Sequence, residues 1–213
     1  MDAEVEDIIE MRDRLDALTA KDEIRGVLTR YARATDRGDV DLLKTCYFED
    51  GIDAHGEAFV GNAHEFAEFM LGADQLGQLR DYRHYITNTT IELDEDRAFV
   101  ESSFLCTLEL PLTGGGYADG QAEGRYFDVF LCREGEWKIW RRLMQSEKYI
   151  WRLREAQPFA SDGRPEGIHS KWPDDPVYQR YAVPKLIPPP FRVEGNPWEY
   201  LRHALDDLAK DCR

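Results

Sequence analysis

The sequence predicts an α+β fold in which N-terminal helices pack on a curved antiparallel sheet. Two observations carry this. Apolar residues recur at three-to-four spacing as far as Met70, then switch to period two from residue 83. Two turn signals, Asp94-Glu95-Asp96 and Arg133-Glu134-Gly135-Glu136, then fold the period-two runs into hairpins.

Taken in order, residues 5–19 place Val5, Ile8, Ile9, Met11, Leu15 and Leu18 among charges, an amphipathic helix with Thr19 as a cap for the next one. Residues 21–36 repeat the pattern through Ile24, Val27, Leu28, Tyr31, Ala32 and Thr35, and Gly38 supplies the C-terminal cap. Asp39 starts a short third helix carrying Leu42, Leu43, Cys46 and Tyr47. A strand follows at about 51–55, then a helix over 62–73 with Phe66, Phe69 and Met70. Strands are expected over 83–93 and 97–110, then 122–133 and 136–148. On the second of these Ala98, Val100, Ser102, Phe104, Cys106 and Leu108 share the apolar face.

These elements make one domain over residues 1–150. Residues 151–213 differ: prolines from Pro158 to Pro197 break any regular pattern, yet Trp151, Phe159, Trp172, Tyr178, Tyr181, Phe191, Trp198 and Tyr200 remain. That many large aromatics predicts an ordered arm on its own or a neighbouring subunit, closing with a short helix from Pro197 to about Ala209.

Composition excludes several function classes. Of 213 residues, 42% are hydrophobic and 12% aromatic, enough for one core. A net charge of −15 does not suit a nucleic-acid binder, which needs a basic face to displace counterions from phosphates. The four cysteines form no C-x-x-C pair and read as free thiols in a reducing cytoplasm. The N-terminal residues are acidic where a signal peptide is basic, and no apolar run approaches the roughly 20 residues that span a bilayer. His55, His64 and His84 lack metal-site spacing, so no metal is expected. Ser102-Ser103 lacks the glycines of a nucleophile elbow, and Gly114–Gly116 leads into no helix that could cradle a phosphate.

What remains is acid–base chemistry. Asp36 lies four residues beyond Ala32 and eight beyond Leu28, so it continues the edge of the apolar helix row. The other reading is a solvated last-turn residue, although a carboxylate there opposes the helix dipole. His84 opens a strand. An Asp and a His converging in an apolar cavity make a general base whose imidazole the carboxylate holds and polarises; the alternative is a core histidine bonded to backbone. Tyr31 stands in the same helix row, either donating to a substrate oxygen or as an ordinary buried tyrosine. Asn88 shares strand parity with His84 and Asp128 shares a face with Tyr126, so both are counted with the cavity, as is Tyr47.

The order helix, helix, short helix, strand, helix, strand meander resembles the SnoaL-like branch of the nuclear transport factor 2-like superfamily. The resemblance rests on Arg30-Tyr31-Ala-Arg-Ala-Thr-Asp36-Arg-Gly-Asp39-Val-Asp-Leu, Phe48-Glu-Asp50-Gly-Ile-Asp-Ala-His55-Gly56, His84-Tyr-Ile-Thr-Asn88 and Glu136-Trp137-Lys-Ile-Trp-Arg-Arg142, within residues 20–148. It implies a cone-shaped barrel with one deep apolar pocket, and homo-oligomers, dimers or trimers, built by sheet contacts. It also implies cofactor-free chemistry of the kind seen in polyketide cyclases, scytalone dehydratase, bile acid dehydratase and hexachlorocyclohexane dehydrochlorinase. Some relatives release formaldehyde from lignin-derived diaryl compounds; others only bind ligands or act as scaffolds.

In the dehydratases and the dehydrochlorinase the residue matching Asp36 orients the catalytic His, which implies His84 as base, and the match of Tyr31 donates to substrate in the dehydratases. His55 takes the place of a pocket tyrosine of the bile acid dehydratases. Arg142 matches an arginine of the last strand, which binds an oxyanion or carboxylate or pairs with a structural acid. Where the bile acid enzymes carry a second catalytic Asp, this chain has Cys106, Thr107 and Leu108, so the general acid is unassigned. The sequence thus points to a cofactor-independent lyase of dehydratase type acting on a hydrophobic hydroxylated aromatic or alicyclic molecule. The alternatives are a formaldehyde-releasing carbon–carbon lyase, and a non-catalytic binding protein or oligomerisation module.

Overall fold

The computed structural model describes residues 3–56, 58–71, 81–112 and 117–154. The expected Gly114–Gly116 turn and nearly all of the expected C-terminal arm, including its helix, lie outside the described residues. Helix α1 spans Ala3–Arg37 and α2 Val40–Lys44; strands β1, Tyr47–His55, and β2, Phe59–Asn62, follow, then helix α3, Ala63–Leu71. Strands β3, Asp81–Asp94, β4, Arg97–Pro111, β5, Tyr117–Arg133, and β6, Glu136–Arg154, complete the order. Among the described residues no helix is long and apolar enough to cross a membrane.

The two helices expected over 5–19 and 21–36 are one continuous helix. Thr19 is not a cap: its Oγ1 donates back to the Leu15 carbonyl 2.9 Å away, and Ala20-Lys21-Asp22-Glu23 carries no glycine or proline to interrupt the backbone. Val5, Ile8, Met11, Leu15 and Leu18 stand exposed along its first half. From Ile24 onward the helix dips into the core, where Ile24, Val27, Leu28, Tyr31 and Ala34 are buried against the sheet. Each of the larger side chains contributes about 1.5–3 kcal/mol by leaving water.

α1 ends as expected at Gly38. With φ at 71°, Gly38 lets its own N–H reach the Thr35 carbonyl at 3.3 Å and the Asp39 N–H reach Ala34 at 2.9 Å, a Schellman closure. Asp39 then caps α2 through the Leu42 N–H at 2.9 Å. α2 stops at Lys44, so Tyr47 belongs to β1 rather than to the helix, and β2 adds a strand that the sequence pattern did not indicate. Asn62 caps α3 by accepting the His64 and Glu65 N–H groups.

The sheet has the order β2-β1-β6-β5-β4-β3. β3 to β6 form the expected antiparallel meander, whereas β1 pairs parallel with β6. The sheet is curved and unclosed, a cone open between its edge strands β2 and β3. The apolar face of β4 is the expected one: Ala98, Val100, Ser102, Phe104 and Cys106 are all buried. β6 runs to Arg154, past the expected domain boundary at 150.

Candidate functional site

Asp36 sits one residue from the end of α1, where the Schellman turn leads the chain away and leaves its carboxylate facing β3. Its Oδ1 accepts the backbone N–H of His84 at 2.8 Å and lies 2.9 Å from His84 Nδ1. Both residues are buried. A carboxylate can only accept, so Nδ1 carries the proton and the basic lone pair resides on Nε2. Among the described residues Nε2 has no hydrogen-bond partner, and the His84 ring lines a cavity of about 680 Å³.

Most of that cavity is apolar, walled by Met70, Phe104, Leu108, Ala122 and Met144, with Tyr82, Tyr126, Tyr149, Gln145 and Ser146 adding polar atoms. His55 is the second imidazole on its wall. The His55 Nδ1 lies 3.2 Å from Asp53 Oδ1, and Asp53 is fully buried, with Oδ2 accepting the Tyr47 hydroxyl at 2.6 Å. Alternation along β1 puts Gly51, Asp53 and His55 on one face. Tyr47 shares that parity and reaches Asp53 across an irregularity of the strand between Tyr47 and Ile52. The irregularity requires glycine at 51, where a Cβ would stand 2.8 Å from the Phe48 carbonyl oxygen.

Behind this wall lies a charged layer. Arg142 pairs bidentately with Asp128, both bonds 2.7 Å and both side chains fully buried. The guanidinium is held between the Tyr31 and Tyr126 rings, 4.1 Å from each centroid. Tyr31 in turn meets His84 edge-on, ring centroids 6.4 Å apart. Burial pushes the hydroxyls of Tyr31, Tyr47, Tyr82 and Tyr126 above the ordinary tyrosine range, so each is a proton donor and none a phenolate base. Burial, reinforced by the Asp36 charge, pushes the Cys106 thiol up to about 12. Burial also raises the Asp128 carboxyl, against the pull of Arg142.

The eight residues singled out in the sequence therefore separate by position. His84 and His55 line the cavity, with Asp36 behind the first and Tyr47 behind the second. Tyr31, Arg142 and Asp128 form the layer beneath it; of the two roles open to Arg142, the structure shows pairing with an acid. Asn88 is exposed and off the cavity. Asn88 does not keep the parity of His84 because β3 carries a bulge: Ile86 opposes Phe104 but Thr89 opposes Ser102, so one extra residue reverses the faces. Asp53 was missed. Its signal was the Asp53-x-His55 spacing on a strand. Among the described residues, no group of three or more His, Cys, Asp or Glu is placed to hold a metal ion.

The cavity is walled chiefly by sheet residues, with Met70 of α3 among them. The chain belongs to the SnoaL-like domain family, whose model matches residues 16–143, more than half of its 213 residues. Solved structures of similar fold include hexachlorocyclohexane dehydrochlorinase LinA Type2, 17% identical over 73% of this chain and 99% of that one, TM-score 0.61. The LinA-type3 dehydrochlorinase of Novosphingobium barchaimii LL02 is 18% identical over 65% and 93%, TM-score 0.59. A provisional scytalone dehydratase of Novosphingobium aromaticivorans DSM 12444 is 21% identical over 69% and 97%, TM-score 0.56. At these identities the likeness is one of fold. No protein of curated function matches the sequence.

Proposed function

We propose that this chain is a cofactor-independent lyase of dehydratase type, acting on a hydrophobic hydroxylated aromatic or alicyclic small molecule. The observation that carries this reading is the Asp36–His84 pair at the wall of an apolar cavity, with Nε2 of His84 without a hydrogen-bond partner among the described residues. His84 removes a proton; Asp36 fixes the tautomer and stabilises the imidazolium that forms. The dehydrochlorinase and dehydratase names of proteins with this fold agree with such chemistry.

Purified protein, without added cofactor, is to be screened by mass spectrometry against hydroxylated aromatic and alicyclic compounds. Loss of water is expected with wild type, and His84→Ala and Asp36→Ala should each lower turnover by ~10² or more with the fold intact. Wild-type turnover in either variant would remove the mechanism. Loss of formaldehyde in place of water would assign carbon–carbon cleavage, and ligand retained without product would assign a binding protein.

The protein is also proposed to act as a homo-oligomer of dimer or trimer size. Support comes from the sheet face opposite the cavity, where Phe99 opposes Val129 and Phe127 opposes Leu143, with Phe99 and Leu143 about half exposed. A second copy of the same face covers this patch without closing the cavity.

A further inference from the structure

Two imidazoles, not one, line the cavity, and each is backed by a buried carboxylate on its Nδ1 side. His84 reaches the cavity from β3 and His55 from β1, with β6, β5 and β4 between those strands in the sheet. Curvature brings both rings over one space. Asp53 has no exposed surface, and a carboxylate buried that fully is costly unless it is partnered. Its two oxygens are held by the Tyr47 hydroxyl on one side and His55 Nδ1 on the other. Among the described residues the His55 Nε2 has no partner, so the whole arrangement presents one nitrogen to the cavity.

We propose that His55, positioned by Asp53 and Tyr47, is the general acid of this site, donating a proton to the leaving oxygen of a neutral hydroxylated substrate. The proposal rests on His84 being the base. In the elimination, His84 Nε2 takes a proton from carbon and the C–H electron pair becomes the new C=C bond. The C–O bond breaks with its pair on oxygen; His55 enters this step doubly protonated, Nδ1–H on Asp53 and Nε2–H on the leaving oxygen, and gives up the Nε2 proton as water departs. His84 ends with one proton more and His55 with one fewer, so exchange with solvent restores both without net change. A hydroxyl needs that proton because hydroxide is a poor leaving group; a carboxylate or halide departs as a stable anion and does not. The substrate is neutral because the described cavity wall carries no Lys or Arg to meet an anionic group.

Three ketone probes separate the two histidines. Benzylacetone has no leaving group and reports only exchange of its α-protons in deuterated water. Its β-hydroxy derivative and the acetate ester of that alcohol both eliminate to benzalacetone, read by its absorbance. We expect exchange in wild type that His84→Ala abolishes. In His55→Gln exchange stays measurable and elimination from the alcohol falls by ~10² or more, while elimination from the acetate falls at least about tenfold less.

Asp53→Asn should move the alcohol-to-acetate ratio in the same direction with KM little changed. Tyr47→Phe, which removes only one hydroxyl, should do so to a smaller extent and guards against misfolding of the Asp53 variant. An equal fall on both esters and alcohols, or none, overturns the assignment of His55. Exchange without elimination from the alcohol in wild type also overturns it and leaves His84 as base. Neither exchange nor elimination overturns both.

Discussion

Replacing Asp128 by alanine would strand the Arg142 guanidinium between two tyrosine rings with no counter-charge. Loss of one partner of a fully buried pair costs about 3–5 kcal/mol, whereas replacing both with apolar residues of similar volume is often near neutral. Urea unfolding should therefore show Asp128→Ala far less stable than wild type, and Asp128→Leu combined with Arg142→Met recovering much of the loss. If Arg142 instead held a ligand group, the double variant would be stable yet lose ligand affinity without any change at the histidines. At this scale the sequence made Asp36 visible through its place in the helix row and His84 through its place at the start of a strand, while His55 came from the family resemblance. The sequence hid Asp53, because an acid two residues from a histidine looks like any alternating strand until the acid is seen to be buried with the His55 Nδ1 beside it.

At the scale of elements, the junction of β1 and β6 is tied at Asp50. Its carboxylate accepts Arg133 Nη1 and Nη2 at 2.7 and 3.1 Å and the Trp140 indole N–H at 3.0 Å. Arg133 foremost, with help from Trp140, lowers the Asp50 carboxyl to about 2 from 3.8. A folded pKa below the unfolded one stabilises the ionised protein, so the contribution is complete above about pH 4 and is lost as pH falls toward 2. With the side chain 57% exposed, the contribution is small. Wild type should be modestly more stable than Asp50→Asn at neutral pH and lose that advantage over this window, as read by denaturant unfolding at each pH.

The same scale shows why element boundaries and edges were harder to read than their kinds. α1 runs through Thr19 because nothing in its backbone chemistry stops it, although a capping residue type stands there. The bulge in β3 turns Asn88 outward by inserting one residue that no local pattern marks. β2 is only four residues long, too short for alternation to register, and exists because β1 offers it an edge.

For the whole molecule, the outer patch of Phe99, Phe127, Val129 and Leu143 sets an expectation about assembly. Leu143→Lys with Phe99→Lys should shift the sedimenting species to the mass of a single chain while leaving α-proton exchange on benzylacetone in place. An unchanged mass would move the contact elsewhere, for which the exposed Ile8, Met11, Leu15 and Leu18 of α1 provide an apolar alternative. Periodicity and turn chemistry are local, so the α+β class, the order of helices before a meander, the Gly38 closure and an acid–histidine pair are legible along the chain. The parallel seating of β1 on β6, the open curvature that carries His55 and His84 over one cavity, and the burial of Arg142 with Asp128 depend on contacts between residues far apart in the chain. Such contacts leave no period to read and emerge only when the folded chain brings those residues together.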